Sequence, residues 1–139
     1  MRRKAPYAIK PLGEAKLSWL ARRKLYKHQE RRETGLLLHA IIRTPSRSMS
    51  SKKPGVAIRE GESLLFRSSA YSRLPKWVSI APGAHDLAFH AYRSSSGSSF
   101  TKRIVLAEGN VLVVVCEPIQ AWQVYGKSPS ADTWYLGIA

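Results

Sequence analysis

One cysteine, nine acidic residues and no long apolar run are what this 139-residue chain has little of, and each shortage excludes something. A single thiol, Cys116, rules out an intrachain disulfide and any multi-cysteine zinc site, and it suits a reducing compartment. The longest early apolar stretch, residues 35–42 with His39 inside it, is far short of the roughly 20 residues that span a bilayer. Arg2-Arg3-Lys4 is followed by Ala5 to Pro11, which carries two prolines and no apolar core of the kind a signal peptide or a twin-arginine leader requires. The expectation is a cytoplasmic protein; an Arg-rich organelle presequence is the alternative, opposed by Glu14, Glu30 and Glu33.

The scarcity of acid matters most. Twenty-three Lys and Arg against nine Asp and Glu leave a formal charge of +14, and that charge is unevenly placed. Residues 1–35 hold eleven bases and three acids, and residues 36–54 add Arg43, Arg47, Lys52 and Lys53 with no acid, for a running total of +12. Residues 55–139 carry eight bases and six acids, only +2. A cationic N-terminal part is joined to a nearly neutral remainder. A hydrophobic content of 44% with four Trp, six Tyr and three Phe is enough for a packed core and argues against wholesale disorder.

Residues 1–11, with Pro6 and Pro11, read as an extended arm. Residues 14–33 lack Pro and Gly and are rich in helix formers, with Glu14 in the first turn, Arg31 and Arg32 in the last and Gly35 beyond as a stop. At 100° per residue Leu17, Leu20, Ala21 and Leu25 form an apolar stripe that can dock on a sheet, Lys16, Arg23 and Lys27 a basic flank, and Trp19 and Tyr26 an aromatic back. The segment 44–55, small, polar and basic with two prolines, reads as a flexible linker or long loop.

From residue 56 the chain breaks into short runs bounded by turn residues: 56–59, 63–68, 76–80, 85–92, 100–106, 111–116, 119–125 and 133–138. Their length and spacing indicate antiparallel β structure. Leu87, Phe89 and Ala91 alternate with Asp86, Ala88, His90 and Tyr92, which puts one face in the core and the other at least partly in water, whereas residues 111–116 are apolar on both faces, as in a central strand. Residues 36–42 are a further strand candidate. The expected fold is mainly β, a small antiparallel β-sandwich over 36–139, preceded over 1–35 by a basic arm and one N-terminal basic α-helix.

Three segments carry a family resemblance. Val56-Ala57-Ile58-Arg59-Glu60-Gly61-Glu62, then Val78-Ser79-Ile80-Ala81-Pro82-Gly83-Ala84-His85-Asp86-Leu87, then Ile104-Val105-Leu106-Ala107-Glu108-Gly109 resemble, in order and spacing, PEGA-like β-sandwich domains over residues 56–117. The resemblance implies an accessory or surface module without catalytic residues, and it transfers no site residues.

Catalytic signatures are few. His85 and His90 are five apart and so face opposite sides of one strand, which separates them as metal ligands; no zinc spacing, phosphate-binding Gly-rich loop or Gly-x-Ser-x-Gly elbow is present. His85-Asp86 with one of the many serines makes a triad only on paper, and Cys116 closes an apolar strand as a small core residue. The chain reads as non-enzymatic, with no cofactor. The site worth arguing is the basic segment: Lys16, Trp19, Arg22, Arg23, Lys24, Tyr26, Lys27, Arg31 and Arg32. It suits an acidic protein surface, a nucleic acid or an anionic lipid surface, although no helix-turn-helix, RNP or zinc-finger pattern accompanies it. The competing reading is a helix that docks its leucines while its bases solvate the outside.

Overall fold

A computed structural model describes residues 3–4, 7–40, 55–69, 75–92, 96–117 and 132–139. Two short strands open the chain, β1 (Arg3–Lys4) and β2 (Tyr7–Pro11), followed by a 3₁₀ turn (Leu12–Glu14) and helix α1 (Trp19–Glu30). The remaining strands are β3 (Gly35–Ala40), β4 (Gly55–Glu60), β5 (Ser63–Ser69), β6 (Lys76–Ser79), β7 (Gly83–Tyr92), β8 (Ser96–Leu106), β9 (Val111–Glu117) and β10 (Asp132–Ile138). The expected run 119–125 and residues 44–54 of the expected linker 44–55 lie outside the described residues, while Gly55, its last residue, already belongs to β4.

Among the described residues the strands form two five-stranded sheets, in the orders β1-β8-β7-β4-β5 and β2-β10-β9-β3-β6. The fold is the mainly β two-sheet sandwich with one helix that the strand spacing implied. Its sheets are mixed rather than purely antiparallel: β1 on β8, β2 on β10 and β3 on β9 run parallel. In each of these pairs a strand from the first 40 residues lies against one from the C-terminal half. The extended arm is therefore sheet structure. Tyr7 of β2 stacks on Phe100 of β8 with ring centroids 5.2 Å apart, tying the two sheets together. Phe100 continues to Phe89 at 4.9 Å and to the fully buried Trp134 at 5.3 Å, contacts worth about 0.5–1.5 kcal/mol each beyond their buried area.

The alternation in the sequence sorts the core. Leu36 and Leu38, Val56 and Ile58, Leu87 and Phe89, Ile104 and Leu106, and Leu112 and Val114 point between the sheets, together with Cys116. Their odd-numbered neighbours on β3 and β9 form a second apolar layer: Leu37, Val111, Val113 and Val115, covered from outside by Leu12, Ala15, Leu17, Leu25 and Trp77. This is why residues 111–116 are apolar on both faces. β9 is central in its sheet, with the sandwich on one side and the 3₁₀ turn and α1 on the other.

The helix is shorter than its composition suggested. It starts at Trp19 because Ser18, in extended conformation, caps it: the Ser18 Oγ accepts the Ala21 N–H at 3.2 Å. It ends at Glu30, five residues before Gly35, in a Schellman motif: the Glu33 N–H donates to the His28 carbonyl at 3.1 Å and the Arg32 N–H to the Gln29 carbonyl at 3.0 Å. The left-handed residue of that motif is Arg32, at φ 53°, where glycine is the usual occupant. Gly35 has another task. It opens β3 beneath Trp77, and a Cβ there would stand 2.5 Å from the indole Cζ2 and 2.5 Å from the Val78 carbonyl oxygen. No helix among the described residues is long and apolar enough to cross a membrane.

Candidate polyanion interface

Starting α1 at Trp19 changes which residues meet the sheet. Ala21 and His28 are buried, and Lys24 and Leu25 are half-buried, a stripe at spacings of three and four. Leu17 lies before the helix and still packs on the outer apolar layer. Leu20, expected on the docking stripe, is 43% exposed at its edge. His28, an unremarkable residue in the sequence, is the anchor: its ring lies flat on Trp77 of β6, centroids 3.6 Å apart and planes 7° from parallel. Its Nδ1 lies 3.3 Å from Glu33 Oε1, while the Trp77 indole N–H donates to Ser79 Oγ at 3.2 Å.

The face of α1 turned away from the sheet carries the aromatic back. Trp19 is 61% exposed and Tyr26 62%. The Arg23 guanidinium sits over the Trp19 ring, 5.1 Å from its centroid, an (i, i+4) cation–π pair. Tyr26 makes the equivalent pairing with Glu30, whose carboxylate hydrogen bond and charge hold the phenol above its ordinary pKa. Arg22, Arg23 and Lys27 are exposed around these rings, and among the described residues no carboxylate pairs with them. Acid near the helix is concentrated at its C-terminal end, where Glu33 takes up His28 and lies 3.9 Å from Arg31.

The nine residues singled out in the sequence thus separate. Trp19, Arg22, Arg23, Tyr26 and Lys27 share the outer surface of α1. Lys16 is exposed but precedes the helix, so its wheel position beside Arg23 and Lys27 does not apply. Lys24 is turned inward, with its ammonium donating to the Pro75 carbonyl at 3.1 Å. Arg31 and Arg32 are exposed where the helix stops.

Beside this surface lies a feature that sequence reasoning missed. An open groove of about 570 Å³ runs between α1 and the start of β6, lined by Leu20, Arg23, Lys24, Lys27, His28, Arg31, Pro75 and Trp77. Four of the eight are Lys or Arg and none is acidic. Its apolar floor comes from Leu20, Pro75 and Trp77, and only the docking of helix on strand brings these together. The (i, i+4) repeat of Arg23, Lys27 and Arg31 was the sequence signal for its basic edge.

Elsewhere the titratable groups are engaged locally. His85, at the start of β7, has Nδ1 2.5 Å from Glu60 Oε2 and Nε2 2.6 Å from the Ala81 carbonyl. Both acceptors want a ring N–H, so the hydrogen bond to Ala81 first, and Glu60 second, raise the pKa. Asp86, its sequence neighbour, is exposed and 4.0 Å from Arg103, so the His85-Asp86 pair is not formed. Asp132 is buried, accepting from the Ser98 hydroxyl at 2.5 Å. Burial lowers the pKa of His39 and, with help from Arg59, that of His90.

No protein-family model, no curated protein and no solved structure matches the chain.

Proposed function

We propose that the chain is a non-catalytic binding module that holds single-stranded nucleic acid, without sequence preference, along the outer surface of α1. The observation that carries this reading is the exposure of Trp19 and Tyr26 among Arg22, Arg23 and Lys27, on the side of the helix opposite the one that docks. Two rings seven residues, about two helical turns, apart offer stacking platforms to separate bases of one strand, and the guanidinium and ammonium groups around them meet phosphates. A lipid surface suits the face less well. Insertion needs a continuous apolar stripe, and here Arg23 and Glu30 interrupt the rings. An acidic protein partner would use the charge but not the π-faces.

The reading of the chain as non-enzymatic is supported at His85, whose two ring nitrogens are both engaged and offer no lone pair to a substrate. The segments that carry the resemblance to PEGA-like accessory domains include the Glu60-Gly61 turn between β4 and β5, the Pro82-Gly83 entry to β7 and the Glu108-Gly109 turn between β8 and β9. That likeness supports the module reading, and the lone buried cysteine supports a cytoplasmic setting.

Fluorescence anisotropy with a labelled oligothymidylate tests the proposal. Binding is expected at ~50 mM salt, with log K falling linearly in log salt and the slope reduced by about 0.7 for each of Arg23→Ala and Lys27→Ala. Trp19→Ala and Tyr26→Ala should each weaken binding by about 1–3 kcal/mol. No binding at ~50 mM salt, or binding indifferent to both aromatic substitutions, overturns it. Binding to anionic vesicles with none to the oligomer replaces it with the lipid reading.

A further inference from the structure

The groove between α1 and β6 has a chemistry the outer helix surface lacks. It is concave, of about 570 Å³, within the range of small-ligand sites, and it joins an apolar floor to a basic rim. An apolar floor under a cationic rim selects a ligand that is itself divided, with an apolar flat body and an anionic end. Inorganic phosphate would leave the floor wet, and a hydrocarbon would leave the rim bases uncompensated.

Its walls are held before any ligand arrives. Lys24 ties the helix to the strand approach through the Pro75 carbonyl, and the His28–Trp77 stack fixes the inner end. Because the Lys24 ammonium already donates to a carbonyl, the cations turned to the rim are Arg23, Lys27 and Arg31, the last of them 3.9 Å from the Glu33 carboxylate. Arg23 is common to both surfaces: it lies over Trp19 outside and lines the groove inside. A strand stacked on Trp19 therefore has its neighbouring phosphate at the groove mouth.

We infer that this groove seats one nucleotide unit, its base on Leu20, Pro75 and Trp77 and its phosphate at Arg23, Lys27 and Arg31. The inference rests on the nucleic-acid reading above and adds a preformed subsite, occupied by one base, beside the stacking surface. It makes two distinct predictions: a free nucleoside monophosphate binds alone, and base contact with Leu20 contributes to strand affinity independently of Trp19 and Tyr26.

The experiment uses the full chain with four probes: thymidine monophosphate, inorganic phosphate, a ten-residue oligothymidylate and an abasic oligomer of the same length. Thymidine monophosphate should give saturable shifts of the Trp77 indole N–H and of the amides around Lys27 and His28 in ¹H–¹⁵N spectra, and inorganic phosphate should not reproduce the indole shift. Leu20→Asn, at a partly exposed position, should weaken oligothymidylate binding about tenfold and leave abasic binding unchanged, with a loss that multiplies with that of Trp19→Ala. Unshifted Trp77 with thymidine monophosphate, or equal effects of Leu20→Asn on both oligomers, overturns the subsite while oligothymidylate binding that depends on Trp19 leaves the surface reading standing. Monophosphate shifts without oligomer binding do the reverse, supporting the subsite and refuting the strand reading.

Discussion

Replacing Gly35 by alanine tests the packing that builds the groove. A Cβ at this position would lie 2.5 Å from the Val78 carbonyl oxygen and 2.5 and 2.7 Å from two ring carbons of Trp77. The carbonyl belongs to β6, which pairs with β3 in register Gly35↔Ser79 and Leu36↔Val78, so it can retreat only by opening that pairing. The indole can move only by leaving His28, on which it lies at 3.6 Å. Overpacking of this kind costs about 1–3 kcal/mol, and loss of the ring stack adds about 0.5–1.5. The sum, about 1.5–4.5 kcal/mol, is a substantial share of the roughly 5–15 kcal/mol that stabilises a domain. For a chain of 139 residues each kcal/mol moves Tm by about 3–4 °C, so Gly35→Ala should lower Tm by roughly 5–18 °C in calorimetry at neutral pH. Gly35→Ala should also dim thymidine monophosphate binding, while Gly13→Ala, where a Cβ meets nothing within 4 Å, should change neither. A Gly35→Ala protein with Tm within about 2 °C of the parent would refute the close-packed β3–Trp77–His28 stack.

Three further outcomes follow from named residues. Arg32 holds a left-handed conformation at the helix stop, so Arg32→Gly should raise stability by about 0.5–1 kcal/mol in urea titration; a destabilised protein would show that the side chain has a compensating role. His85, with its pKa raised in the folded state by the Ala81 carbonyl and Glu60, contributes stability that is fully present below the ordinary histidine pKa and lost as pH rises through the folded one. The stability difference between the parent and His85→Gln should therefore be larger at pH 5.5 than at pH 9 in paired thermal melts, and a difference that grows with pH would contradict the assigned contacts. The buried His39 has the opposite sign: its lowered pKa leaves its stability present above the ordinary histidine value and lost in acid, so His39→Val should flatten the acid side of the parent's stability profile.

The strands were legible because burial writes a local code. Leu87, Phe89 and Ala91 alternate because one face of β7 meets the core, and residues 111–116 do not alternate because β9 is covered on both sides. Among the described residues turn signals bounded these runs within two residues of the observed ends, except at β8, which begins at Ser96, four residues before the expected start. The exposed outer face of α1 was legible for the same reason, since Trp19 and Tyr26 fall opposite the apolar stripe. Where composition misled, the deciding interaction was at a single residue or far away in sequence. Good helix formers extend from 14 to 33, yet the Ser18 cap and the Arg32 turn shorten the helix at both ends, and Leu20 is left half out because His28 takes the docking position through Trp77, 49 residues later.

By itself the sequence determined a mainly β sandwich, one basic helix and a charge of which twelve of fourteen units precede residue 55. Side-chain period and charge count are local properties, readable without knowing what lies across the fold. Only the tertiary structure decided that the N-terminal arm is sheet, that β3 runs parallel to β9, and that Leu20, Pro75 and Trp77 meet beneath Arg23, Lys27 and Arg31. Parallel pairing and a groove between a helix and a distant strand depend on contacts between residues tens of positions apart, and no periodicity within either segment encodes them.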